Sequence, residues 1–145
     1  MHQELADSLL SLEKHRIDDT IIQLAHICHG GSLTVPLIAP SNKEEFLLDI
    51  ERNRINLLKG KYQTRVRGAI LLARLDFGGA PHRNPDGQEI SCPHLHLYRE
   101  NYGMKWAFSV PSESFPDMTN LWQTLFDFMN FCNITEYPHF ERGLF

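Results

Sequence analysis

The sequence predicts an α+β fold: a mostly antiparallel sheet of five or six strands, with two helices before it and one after it. Three observations carry this expectation. Apolar residues recur at helical spacing near the two ends of the chain. The middle alternates with the two-residue period of strands and is punctuated by Gly, Pro and Asn. A tight turn at Glu100-Asn101-Tyr102-Gly103 folds one extended segment back on the next.

In chain order, residues 3–15 form an amphipathic helix, with Leu5, Leu9 and Leu12 on one stripe and Leu10 widening it. Asp18 or Asp19 caps a second helix whose buried side is Ile21, Ile22, Leu24, Ala25 and Cys28. Gly30-Gly31 ends it, and His26 and His29 lie near its C-terminal dipole. Leu33 to Ile38 is a strand that stops at Pro40-Ser41-Asn42. Residues 45–52 and 54–59 are two more, linked tightly at Asn53. Residues 61–77 make the longest extended run. Its parity breaks at Gly68, which reads as a bulge or as a central strand covered on both faces.

The segment 78–92 holds too many turn formers for regular structure, with Asn84-Pro85-Asp86-Gly87 as its sharpest turn. Strands follow at Pro93 to Arg99 and at Lys105 to Val110. Asp117 or Thr119 caps a last helix running to Cys132, with Met118, Leu121, Trp122, Leu125 and Met129 on its apolar stripe. Phe126, Phe128 and Phe131 thicken that stripe into core. The aromatic tail packs back on the domain. The whole reads as one domain over 1–145: a helical part at 1–30, a sheet at 32–110 and a helix at 117–132.

Composition narrows the function. At 145 residues the chain is long enough to build a core without disulfides or metal. Its 42% hydrophobic and 22% charged residues are ordinary for a water-soluble protein. No apolar run approaches the roughly 20 residues of a membrane span, and the N-terminus has no secretory pattern. Three cysteines without paired spacing fit reduced thiols, so a cytoplasmic location is expected. A net charge of −4 disfavours a protein that coats nucleic acid nonspecifically. It leaves room for a local basic site, since Arg52, Arg54, Lys59, Lys61, Arg65, Arg67 and Arg74 cluster mid-chain.

Parity marks the chemistry. In the strand from Pro93 to Arg99, Leu95 and Leu97 share one face while His94, His96 and Tyr98 share the other. If the strand from Lys105 to Val110 pairs with it, Trp106, Phe108 and Val110 join the leucines in the core. Lys105 then joins the histidines on a polar, open face. His82 and Arg83 reach its rim from the loop, and Arg65 and Arg67 reach it from the long strand.

Such a face supplies what phosphodiester cleavage without metal requires: a base, an acid and fixed positive charge. His94 and His96 share the acid and base roles, with Tyr98 and Lys105 completing the catalytic set. His82, Arg83, Arg65 and Arg67 hold phosphate or orient the substrate, and no cofactor is needed. The element order resembles that of small bacterial toxins that cut RNA. RNA or a host nucleoprotein complex is therefore the expected partner. An alternative ligand set, His94, His96 and Glu100, suits a divalent metal with open positions. Its spacing approaches the first motif of cupins, although their second motif is absent. His94-Leu95-His96-Leu97-Tyr98 also resembles the run of histidine-triad nucleotide hydrolases, with Tyr98 where the third histidine belongs.

The stretch from Arg74 to Ala107, RLDFGGAPHRNPDGQEISCPHLHLYRENYGMKWA, resembles the signature of an uncharacterised family of small bacterial and phage proteins. FLLDIERNRINL upstream and CNITE–RGLF downstream extend the resemblance over about residues 45–145. Met104 departs from the acidic residue expected before Lys105-Trp106. The resemblance implies a toxin, defence or anti-defence role by its occurrence on mobile elements. A non-catalytic protein that binds a host defence complex is therefore the alternative to the nuclease.

Overall fold

Two helices, α1 (Gln3–Ser11) and α2 (Leu121–Phe131), flank an eight-stranded sheet in the computed structural model, which describes residues 1–145. The strands in chain order are β1 (Lys14–Arg16), β2 (Ile21–Gln23), β3 (Gly31–Ile38), β4 (Glu45–Arg52), β5 (Gly60–Val66) and β6 (Ile70–Phe77). They continue as β7 (His82–Arg83), β8 (Glu89–Ile90), β9 (His94–Leu97), β10 (Ala107–Ser109), β11 (Ile134–Glu136) and β12 (His139–Glu141). The main sheet runs β10-β9-β6-β5-β4-β3-β1-β11. It is antiparallel except where β1 meets β11, and β12 also pairs with β2 in parallel. No helix is long and apolar enough to cross a membrane.

Register divides the sheet into an apolar and a polar face. Leu33, Ile50, Tyr62, Leu75, Leu95 and Phe108 are partners across six strands, and Val35, Leu48, Thr64, Ala73 and Leu97 form the next row. Both helices pack on this side: Ala6 and Leu9 of α1 and Leu125, Phe128 and Met129 of α2 are buried. Phe128 lies 6.2 Å from the Tyr62 ring, whose hydroxyl donates to the Leu121 carbonyl at 2.9 Å. Burying a phenylalanine of this kind contributes about 1.5–3 kcal/mol.

Several expectations are corrected. The first helix stops at Ser11, and the second does not form. Residues 21–23 are a strand held by the tail, and Leu24–Ile27 make one 3-10 turn. Ile21 to Cys28 is apolar at six of its eight positions, a pattern that suits either period, and the pairing with β12 decides it.

Residues 54–59 are a loop because the Asn53 carboxamide accepts from Ile55 and Asn56 N–H, and that of Asn56 from Leu58 N–H. The long run at 61–77 is a hairpin, not one strand. Arg67 and Gly68 both have positive φ, at the centre of the tight turn that Ala69 N–H closes on the Val66 carbonyl. The last helix starts at Leu121, capped by Asn120, whose side chain accepts from Gln123 N–H at 3.0 Å. The antiparallel sheet and the C-terminal helix stand; the strand count rises to eight in the main sheet.

Candidate active site

The polar face is built from two rows of cross-strand partners. One row reads Ser32, Glu51, Lys61, Asp76, His94 and Ser109. Beside it run Thr34, Asp49, Gln63, Arg74, His96 and Ala107. Because β9 pairs with β6, Asp76 stands directly opposite His94, and Arg74 opposite His96.

Contacts follow from that register. Asp76 Oδ2 lies 3.4 Å from both His94 Nε2 and His96 Nε2. Arg74 Nε donates to Asp76 Oδ1 at 2.8 Å, and its NH2 group donates to Asp76 Oδ2 at 3.2 Å. The same group sits 3.1 Å from His96 Nε2, while His96 Nδ1 is 2.8 Å from the Met104 carbonyl. A carbonyl only accepts, so His96 carries its proton on Nδ1 and accepts from Arg74 through Nε2. His94 is different: its Nδ1 is buried and has no hydrogen-bond partner.

Burial tends to raise the Asp76 carboxyl pKa, but the adjacent His96 ring and the Arg74 guanidinium outweigh it and take the group down to about 2. Burial pushes the His94 imidazole below its usual value, against the pull of Asp76. At neutral pH the site is therefore an ionised aspartate beside an uncharged His94.

The face is not open, which corrects the expectation for it. His94 is 3% exposed and His96 1%. A roof covers them: β7 and β8 pair as a small hairpin around the Asn84–Gly87 turn. Its His82 ring stands 4.6 Å from that of His96 and 5.9 Å from that of His94. His82 Nε2 donates to the Lys105 carbonyl at 2.7 Å. Gly78 starts the roof at positive φ, where an added Cβ would lie 2.2 Å from the Leu58 carbonyl oxygen.

Access to the cluster comes from the side. A cleft of about 270 Å³ is walled by Glu51, Lys59, Lys61, Asp76, Cys92 and His94 among others. Lys61 pairs with Glu51 at 3.8 Å, whereas Lys59 makes no ion pair. Cys92 Sγ accepts from Gly79 N–H at 3.2 Å and donates to the Asp76 carbonyl at 3.4 Å, so the thiol ties the roof to the sheet.

Of the residues expected at the site, His94, His96 and His82 come together, and Arg83 sits on the roof within 4.0 Å of Glu89. The others do not join them. Tyr98 follows the end of β9, and its hydroxyl donates to the Met1 carbonyl at 2.9 Å, on the α1 side. Lys105 lies outside β10 with an exposed side chain in no ion pair, and only its backbone carbonyl meets the cluster. Arg65 and Arg67 are at the hairpin end of β5, away from the Lys61–Asp76 end. Arg65 is bidentate on Asp49 at 2.7 and 3.0 Å, and Arg67 meets Glu44 at 3.4 Å. Glu100, the third member of the alternative metal set, instead accepts from Gln3 N–H at 2.8 Å at the start of α1. A carboxylate there favours the helix N-terminus.

Asp76, Arg74, Lys59 and Lys61 join the cluster without being expected there from the sequence. One signal was present: Arg74 and Asp76 share a parity, interleaved with Leu75 and Phe77, inside an otherwise apolar strand.

A family model described as a family of unknown function (DUF6978) matches residues 1–134. No curated protein and no solved structure matches the chain.

Proposed function

For a chain that belongs to the DUF6978 family, a family of unknown function, we propose an activity drawn from the cleft itself: cleavage of phosphodiester bonds in RNA. One observation carries this reading. An imidazole oriented by a carboxylate, with its second nitrogen unpartnered, lines the same cleft as two lysines. Carboxylate, histidine and fixed positive charge are the parts that general-base attack on a phosphodiester uses.

With the covering hairpin of β7 and β8 displaced by substrate, His94 holds its Nε2 proton toward Asp76 and takes the 2′-hydroxyl proton on Nδ1. The 2′-oxygen then attacks phosphorus, and the 5′-oxygen leaves with a proton from water. Lys59 and Lys61 balance the charge that grows on the phosphoryl oxygens. His96 is a positioning residue here, since both its nitrogens are engaged within the protein.

Cleavage of a labelled single-stranded RNA tests this. His94→Gln should lower the rate by two to four orders of magnitude, with an unchanged thermal melt and fragments from the wild type ending in 2′,3′-cyclic phosphate. Equal rates in the two proteins would discard the assignment.

A second reading is a non-catalytic protein that docks on a host defence or regulatory complex. The loop between β4 and β5 favours it, because Ile55 is 98% exposed and Leu58 72%, beside the cleft. A stable complex that survives His94→Gln but is lost in Ile55→Ser/Leu58→Ser would decide for docking.

A further inference from the structure

We infer that Asp76, His94 and His96 form a binding site for one divalent transition-metal ion of intermediate softness, such as zinc or ferrous iron. This goes beyond the RNA reading: it uses the same cluster but holds whether or not RNA is the substrate.

Geometry comes first. One oxygen and two imidazole nitrogens, each able to ligate, lie within 4.8 Å of one another. Both Nε2 atoms are 3.4 Å from Asp76 Oδ2. Ligand atoms about 2.1 Å from a tetrahedral ion are separated by about 3.4 Å, so the two nitrogen–oxygen spacings already match and only the two imidazoles have to adjust to each other.

The ligand types agree. Two histidines and a carboxylate leave one or more positions for water or substrate, which suits zinc, iron or manganese better than calcium or magnesium. His96 also has the outer contact that such ligands show, its Nδ1–H on the Met104 carbonyl, which fixes the ring and aims Nε2 inward.

Arg74 makes the inference sharp. Its NH2 group occupies the His96 Nε2 lone pair and touches Asp76 Oδ2, so the guanidinium stands where it competes with a cation. On ion entry that group leaves His96, while Nε keeps its 2.8 Å bond to Asp76 Oδ1. Replacing Arg74 should therefore strengthen metal binding while each ligand variant abolishes it. A merely structural polar cluster gives no such opposition of signs.

Calorimetric titration of the full-length chain, free of any histidine tag, with zinc chloride is the test, paired with the visible spectrum of the cobalt(II) form. One ion per chain is expected, with cobalt bands of four- or five-coordinate intensity. Asp76→Asn, His94→Gln and His96→Gln should each lose the high-affinity site, and Arg74→Gln should bind at least several-fold more tightly. Folding of every variant is checked by its melt, and Glu100→Gln serves as a folded control that keeps the site. No stoichiometric ion in the wild type overturns the inference. So does binding that persists in the ligand variants, which would be an adventitious ion on the exposed histidines. With an ion bound His94 is a ligand and not a base, so cleavage that survives chelation leaves the acid–base reading standing alone. Absence of cleavage leaves the stoichiometry untouched.

Discussion

The Asn84 carboxamide pairs with both backbone groups of Ala107, accepting from its N–H at 2.8 Å and donating to its carbonyl at 3.0 Å. One side chain thus completes the outer edge of β10 as a further strand would, and holds the roof over His94 and His96. Because both partners are buried, Asn84→Ala should cost about 2–3 kcal/mol in urea unfolding. It should also speed modification of His94 and His96 by diethyl pyrocarbonate well beyond the wild-type rate. Unaltered protection of both rings would show that the roof does not depend on this pair.

Glu100 and Asp76 are both carboxylates near the histidine strand, and they are assigned different work. Glu100 caps α1, so Glu100→Ala should lower stability by about 1 kcal/mol while leaving RNA cleavage within twofold of wild type. Loss of cleavage in that variant would restore the ligand set His94, His96 and Glu100.

Lys14 carries a pH dependence unrelated to the site. Fully buried, its ammonium donates to the carbonyls of Leu10, Leu12 and Cys132 at 2.7–2.9 Å. Burial lowers its pKa from 10.5 to about 8, and the neighbouring Cys132 thiol is itself pushed up to about 12. Between pH 8 and 10.5 the unfolded chain therefore holds more protons at this residue than the folded one, and stability rises with pH there. Relative to Lys14→Met, the wild type should gain up to about 3 kcal/mol between pH 7.5 and 10.5, read by urea melts at each pH. A flat or falling difference would contradict the burial of a charged amine.

Electrostatics separates the lysines of the cleft from the arginines of the hairpin. Lys61→Met should weaken binding of single-stranded RNA several-fold and reduce the salt slope by about 0.7. Arg65→Ala and Arg67→Ala should change neither, because both guanidinia are committed to acidic neighbours, Asp49 and Glu44. The reverse pattern, measured by fluorescence anisotropy over a salt series, would move the binding surface to the other end of β5.

Parity within single strands was legible in the sequence. Leu95 inward with His94 and His96 outward, the partnership of β9 with β10, and the limits of β4 all follow from alternation and turn chemistry. What parity cannot give is which strand lies on the other side. Asp76 meets His94 only because β6 is the second neighbour of β9, across the 16 residues 78–93, whose course no local pattern dictates. The same gap hid the roof. The turn formers of 78–92 indicated irregular structure, but not that His82 and Asn84 would close it over the polar face. The second helix failed for a related reason, since the pairing of β2 with a tail over a hundred residues away overrode an ambiguous apolar run.

Occupancy of the cleft by substrate is the most direct measurement. A short RNA with 2′-O-methyl groups, which cannot cleave, can be soaked or co-crystallised with the chain, or followed through the ¹⁵N resonances of the histidine rings. The account predicts a phosphate between Lys59 and Lys61 and a perturbed His94 ring, with the five histidines at 2, 15, 26, 29 and 139 unmoved. A bound RNA that leaves His94 unperturbed, or that lies along the Arg65–Arg67 hairpin, would contradict it.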